Sequence, residues 1–184
     1  MLILGGTGAV GKLAVQVAAR HGAGRIVVVG RDADALKRTL ELGAHAAIPL
    51  RPDESDVALA HHIRETVPAV DVILDALYGV PLQAALQATA SRARVVNVGN
   101  AAGTTAILPA GVVRSRQLTI SGFAGFYTSV AEKRTALGWC WEALRRGELD
   151  VDIRTRTLEE LPQAWAEQAS SPHAKLVILP AGGS

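Results

Sequence analysis

Three apolar residues, Leu2-Ile3-Leu4, run directly into Gly5-Gly6-Thr7-Gly8-Ala9-Val10-Gly11, and an amphipathic stretch begins at once behind them. Gly6, Gly8 and Gly11 fit the spacing Gly-x-Gly-x-x-Gly between a strand and a helix, a context that gives each glycine its own task. Gly6 permits a tight turn, Gly8 removes a side chain where a diphosphate would approach the backbone, and Gly11 lets helix and strand pack closely. The N–H groups from Gly6 through Thr7, Gly8, Ala9 and Val10, with the positive end of the helix dipole, then face an anion. Such an opening commits the chain to a strand-turn-helix start, the first piece of a parallel sheet.

The remainder agrees with that start. Short apolar runs alternate with amphipathic stretches, which predicts an α/β fold: a Rossmann-type doubly wound parallel sheet with a small C-terminal β-α-β appendage. Strands are expected at residues 2–4, 25–29, 71–74, 94–98, 117–121, 151–155 and 175–179. In the first helix Val10, Leu13, Ala14, Val17 and Ala18 should face the sheet, Lys12, Gln16 and Arg20 should face solvent, and Gly22 supplies the stop. Further helices are expected from the caps at Asp32 and Asp34 to Gly43, from Pro52 to about Val67, and through Pro81. A longer one from Ser129 to Arg146 carries Val130, Leu137, Trp141 and Leu144 at helical spacing as core residues. Residues 1–150 read as one domain, and 151–184 as an appendage with a helix near 159–169 whose apolar face holds Trp165. With a strand placed so near the first residue, a further segment upstream is an expectation.

Composition narrows the function classes. The chain is 49% hydrophobic and 20% charged, which excludes disorder, collagen and disulfide scaffolds. Nineteen Lys and Arg against 17 Asp and Glu give a formal charge of +2, so neither nucleic acid nor an anionic membrane is an expected partner. No apolar run approaches the ~18 residues of a membrane span, and the expected setting is cytoplasmic. Cys140 is the only cysteine and reads as a buried small hydrophobe. His61 and His62 are adjacent on a helix, about 100° apart, and no metal site is expected. No serine stands in a nucleophile-elbow context.

The end of the second strand normally selects the nucleotide, through a carboxylate for the ribose 2′-hydroxyl of NAD or an Arg for the 2′-phosphate of NADP. Here the chain reads Val29-Gly30-Arg31, which favours NADP(H) over NAD(H). Asp32 is either a helix cap or a ribose contact, and Asp75 either a cap or a ligand contact. Gly99 and Asn100, after Val96-Asn97-Val98, are candidates for the nicotinamide side of the crevice, with an ordinary turn as the other reading of Asn100.

Taken together, Gly5-Gly-Thr-Gly-Ala-Val-Gly11, Glu41-Leu-Gly-Ala44, Asp71-Val-Ile-Leu-Asp-Ala76, Val98-Gly-Asn-Ala-Ala-Gly103, the stretch from Leu158 to Ala166, and His173-Ala-Lys175 resemble the nucleotide-binding half of the medium-chain dehydrogenase/reductase superfamily. Within it the zinc-independent quinone oxidoreductases are most similar; Ala174 stands where that family usually has Gly. The resemblance implies cofactor contacts at Gly8, Ala9 and Val10, at Gly30 and Arg31, near Leu77, at Gly99 and Asn100, and around Gly122 and Phe123. It also implies a small-molecule quinone or enone as electron acceptor, a GroES-like lobe that would precede the first strand, and a tail that returns to complete that lobe. Pairing of the 117–121 edge across a twofold axis would give a homodimer. The alternative function is a dinucleotide-binding module without turnover by itself. Short-chain dehydrogenases share the glycine pattern but need a Tyr with Lys four residues on, and Tyr78 and Tyr127 are followed there by Leu82 and Ala131. No catalytic residue is assigned.

Overall fold

The computed structural model describes residues 1–180. Strands β1 (Leu2–Leu4), β2 (Val27–Gly30), β3 (Ala46–Pro49), β4 (Val70–Asp75), β5 (Thr89–Asn97) and β6 (Thr119–Gly122) form one parallel sheet in the order β3-β2-β1-β4-β5-β6. Helices α1 (Ala9–Arg20), α2 (Ala33–Glu41), α3 (Asp56–Thr66), α4 (Gly79–Leu86) and α5 (Ala110–Ser115) make the crossovers, and α6 (Val130–Arg145) follows β6. A second, two-stranded parallel sheet joins β7 (Ile153–Thr157) and β8 (Lys175–Leu179) through α7 (Leu161–Ala169). The α/β class and the C-terminal β-α-β unit are as the sequence predicts.

Burial explains the order. One apolar cluster packs Leu2, Leu4, Val27 and Ile73 against Leu59, Ile63, Leu82 and Leu86 of α3 and α4. The other packs Ile3, Ile26 and Val28 against Val15 of α1 and Leu36 of α2. With both faces covered, the central strands need apolar residues at every position, hence Leu-Ile-Leu and Val-Val-Val. The strand order reverses between β1 and β4, and the carboxyl ends of β1 to β6 share one edge of the sheet. Among the described residues no helix is long and apolar enough to cross a membrane.

Several expectations need correction. β3 is absent from the sequence-based strand set because Ala46-Ala-Ile-Pro49 is short, weak in β-formers and ends in proline. Lys12 and Gln16 are not solvated: they are 7% and 3% exposed. The second unit rests on them, Lys12 Nζ donating to Asp152 and to the His173 carbonyl (2.7 Å), and Gln16 bonding Asp150 through both ends of its amide. Val10 is exposed instead. On α6, begun by a Ser129–Glu132 capping box, only Ala143 is buried. Val130, Leu137, Trp141 and Leu144 are exposed, as is Trp165 on α7, because helical spacing reports an apolar stripe without reporting what covers it. Cys140 is half-buried.

Surface carboxylates set an acid limit on this fold. The Ala35 backbone N–H holds Asp32 below the usual carboxylate range, the Ser129 hydroxyl does the same for Glu132, and Arg154 for Glu167. A carboxylate with a folded-state pKa below its unfolded value stabilises the protein above the ordinary carboxylate range, and that stabilisation is lost as pH falls through the folded pKa. The melting temperature should therefore stay level from neutrality to about pH 5 and drop below it. Thermal melts of the wild type and of Glu132→Gln, whose acid slope should be shallower, check this.

Candidate functional site

The opening turn is built by glycines with distinct surroundings. Gly5 carries the left-handed φ of +84°, so Gly5 rather than Gly6 makes the tight turn, and its N–H and that of Gly6 both bond the Val29 carbonyl. A Cβ on Gly6 would strike the Val28 side chain, and one on Gly11 would strike the backbone of Gly5 and Gly6. Gly8 differs: the nearest atom to a Cβ there is Gly5 O at 3.9 Å. Packing therefore demands glycine at positions 6 and 11, whereas position 8 stands beside open space. As N-cap of α1, Gly8 offers no side-chain cap, and no acidic residue lies in the first turn. The first N–H groups of α1 are thus left for an outside acceptor. Thr7 is buried, and its carbonyl accepts from His173 Nδ1 at 3.2 Å.

At the end of β2, a Cβ on Gly30 would sit 2.5 Å from Thr7 Cγ2, so this position has no room for a carboxylate. Asp32 caps α2, Oδ1 accepting from the Ala35 N–H at 2.7 Å, while Oδ2 faces His173 Nε2 at 3.9 Å. Arg31 is exposed and lines a cavity of about 410 Å³ with Leu50, Arg51, Pro52, Val80 and Pro81. Those partners escape sequence reasoning because they follow β3, itself missed, or open α4. Lys37 pairs with Asp34 at 2.9 Å on the exposed face of α2.

The other half of the edge forms a second cavity of about 570 Å³, lined by Tyr78, Asn97, Gly99, Asn100, Gly122 and Phe123 among others. It collects all four candidates expected beyond β5 and β6, and adds Tyr78 and Asn97. Beneath it Asp75 is completely buried. Its Oδ1 accepts from the N–H groups of Leu77 (3.0 Å) and Tyr78 (2.8 Å), and its Oδ2 from Asn97 Nδ2 (2.8 Å). Asp75 therefore fits neither reading as stated: α4 has Tyr78 as its N-cap with no side-chain cap, and the buried Asp75 carboxylate instead braces the turn between β4 and α4. Leu77 bridges the halves, its side chain lying about 3.1 Å from where a Cβ on Gly5 would stand. Every candidate residue thus lies on the carboxyl edge, where open α/β sheets receive ligands. Among the described residues no three His, Cys, Asp or Glu converge as a metal site.

The sequence pattern of a family described as zinc-binding dehydrogenase matches residues 9–142. The chain belongs to this family. Its place is in the nucleotide-binding half of the medium-chain dehydrogenase/reductases, as the quoted motifs suggest. Among solved structures, AibC is 27% identical with a TM-score of 0.83, over 97% of this chain and 48% of that one. An alcohol dehydrogenase zinc-binding domain protein from Burkholderia ambifaria is 29% identical with a TM-score of 0.80, over 96% of this chain and 47% of that one. Escherichia coli quinone oxidoreductase, solved with NADPH, shares the fold at 21% identity and a TM-score of 0.81, over 97% of this chain and 56% of that one. This member of the zinc-binding dehydrogenase family therefore spans about half the length of the solved proteins it matches. No curated protein matches its sequence.

Proposed function

We propose that the chain is the cofactor-binding portion of an NADPH-dependent, zinc-independent oxidoreductase that reduces a quinone or enone. The observation that carries this reading is the opening turn, where packing fills the space at Gly6 and Gly11 and leaves it free at Gly8. The main chain from Gly6 to Val10 would hold the diphosphate there, on the positive end of α1. Arg31 would take the 2′-phosphate as a forked cation, at a strand end where Gly30 leaves no acid to favour NAD(H). Bound NADPH would supply hydride to an electron-poor carbon of the acceptor, which then takes a proton.

Around that reaction the chain's own residues do the positioning. Gly99 and Asn100 bring backbone and amide groups to the cavity beyond β5, and Gly122 and Phe123 line its other side. The fold shared with Escherichia coli quinone oxidoreductase, solved with NADPH, supports this reading. Residues 1–150 would form the dinucleotide-binding domain and 151–184 the piece that completes a substrate lobe; its last four residues lie outside the described part. A homodimer through the exposed edge strand β6, in a cytoplasmic setting without nucleic acid or membrane partners, belongs to the same reading.

Calorimetry with NADPH and NADH tests it. The wild type should prefer NADPH, and Arg31→Ala should lose about 10- to 100-fold of that preference, the worth of a charge-assisted hydrogen bond or two. Selectivity unchanged in Arg31→Ala would remove Arg31 from the site. Uptake of neither coenzyme by folded protein would end the proposal.

A further inference from the structure

Among the described residues six non-glycine residues have a positive φ, and Tyr78 is the only Phe, Tyr or Trp among them. Its φ of 58° and ψ of −161° lie outside the left-handed helical region, in territory that glycine alone enters freely. Its surroundings enforce this conformation. The Tyr78 N–H donates to the buried Asp75 carboxylate at 2.8 Å, the Leu77 carbonyl accepts from Ala102 N at 2.7 Å, and Gly79 is pressed so close to Ala102 that an added Cβ would lie 3.2 Å from its carbonyl oxygen. A glycine at position 78 would make the same turn without strain, so the fold does not explain a tyrosine there.

The ring's position does. Tyr78 packs against the apolar cluster of the sheet and also lines the 570 Å³ cavity, whose other aromatic residue, Phe123, comes from the end of β6 and is 56% exposed. Asn97, Gly99 and Asn100 lie along the same cavity. Aromatic walls beside amide groups suit a flat, electron-poor ring that bears a polar substituent. We infer that Tyr78 is a binding residue for the nicotinamide ring, its aromatic face forming one wall of that ring's seat and its strained backbone being the cost of aiming it there. The inference rests on the proposal that a nicotinamide dinucleotide spans this edge of the sheet.

Two ligands separate the two ideas: NADPH, and 2′-phospho-ADP-ribose, which lacks the nicotinamide. Tyr78→Gly should raise the Kd for NADPH about tenfold and leave that for 2′-phospho-ADP-ribose within about twofold of wild type. The emission of bound dihydronicotinamide in Tyr78→Gly should move toward that of the free coenzyme. Tyr78→Phe, which keeps the ring, should bind both ligands as the wild type does. Wild-type NADPH affinity in Tyr78→Gly overturns the inference, even if acceptor affinity falls, since the ring would then serve the acceptor. Equal loss of both ligands, or a loss in Tyr78→Phe as large as in Tyr78→Gly, also overturns it. A wild type that binds 2′-phospho-ADP-ribose separates any such failure from failure of the dinucleotide reading, whereas a wild type that binds neither ligand ends both.

Discussion

Replacing Gly11 with alanine should destabilise the protein by about 3–5 kcal/mol in urea unfolding and abolish measurable dinucleotide binding. The added methyl would meet the backbone of the turn itself, 2.7 Å from Gly6 C and closer still to Gly6 Cα and Gly5 O. None of those atoms is the end of a flexible side chain, so relief requires α1 to back away from β1. That movement would open the contact between α1 and the cluster of Ile3, Val15 and Val28, and carry the first N–H groups of the helix out of register with the turn. Gly8→Ala is the matched control. With only Gly5 O at 3.9 Å, its methyl has room, and its unfolding free energy should stay within about 0.5 kcal/mol of wild type. Its dinucleotide affinity should nevertheless fall about 100-fold, since the methyl occupies the space that a diphosphate would need. Undiminished binding in Gly8→Ala would dissociate the glycine pattern from any ligand and leave it a packing device.

This pair of glycines shows why the opening turn is legible in the sequence and why much else is not. Glycine spacing encodes backbone geometry, which is local, so seven residues suffice to place a strand, a turn and a helix. The exchange of tasks between Gly5 and Gly6 is not legible, because it depends on where Val28 of the neighbouring strand falls. Lys12 and Gln16 mark a second limit. Their spacing puts them on the polar face of α1, and only the arrival of Asp150 and Asp152 from the far end of the chain turns that face into an interface. The α6 stripe fails in the opposite sense: Val130, Leu137 and Trp141 have the periodicity of a core face, and periodicity carries no information about a covering partner. For the site, Gly99 and Asn100 follow from the strand ends, whereas Gly122 and Phe123 enter only through the family resemblance. Tyr78 follows from neither, because a positive φ at a tyrosine leaves no mark in composition or spacing.

Asp75→Ala should cost a further large amount, about 3–5 kcal/mol, and here the effect reaches the site without touching the opening turn. The carboxylate is buried and serves three donors: the N–H groups of Leu77 and Tyr78 on one oxygen and Asn97 Nδ2 on the other. Removing it strands donors that the fold has already withdrawn from water, at about 1–3 kcal/mol each, with partial relief where solvent can follow. Asp75→Asn separates charge and shape from hydrogen bonding. Its amide oxygen can still accept from Leu77 and Tyr78, but its NH2 then points at the NH2 of Asn97. Asn97 is held in that orientation by a second bond to the Gly99 carbonyl at 2.7 Å, so turning its amide to compensate would sacrifice the Gly99 contact. The expected loss is smaller, about 1–2 kcal/mol, and it falls on the junction between β4 and β5. Tyr78 and Gly99 hang from opposite oxygens of this one carboxylate, the first directly and the second through Asn97. A ligand that needs both walls of the cavity should therefore bind more weakly to Asp75→Asn than the stability loss alone implies. Equal stability of Asp75→Ala and Asp75→Asn would mean that the two backbone donors find water when the oxygen is gone, and the strained turn at Tyr78 would then need another anchor.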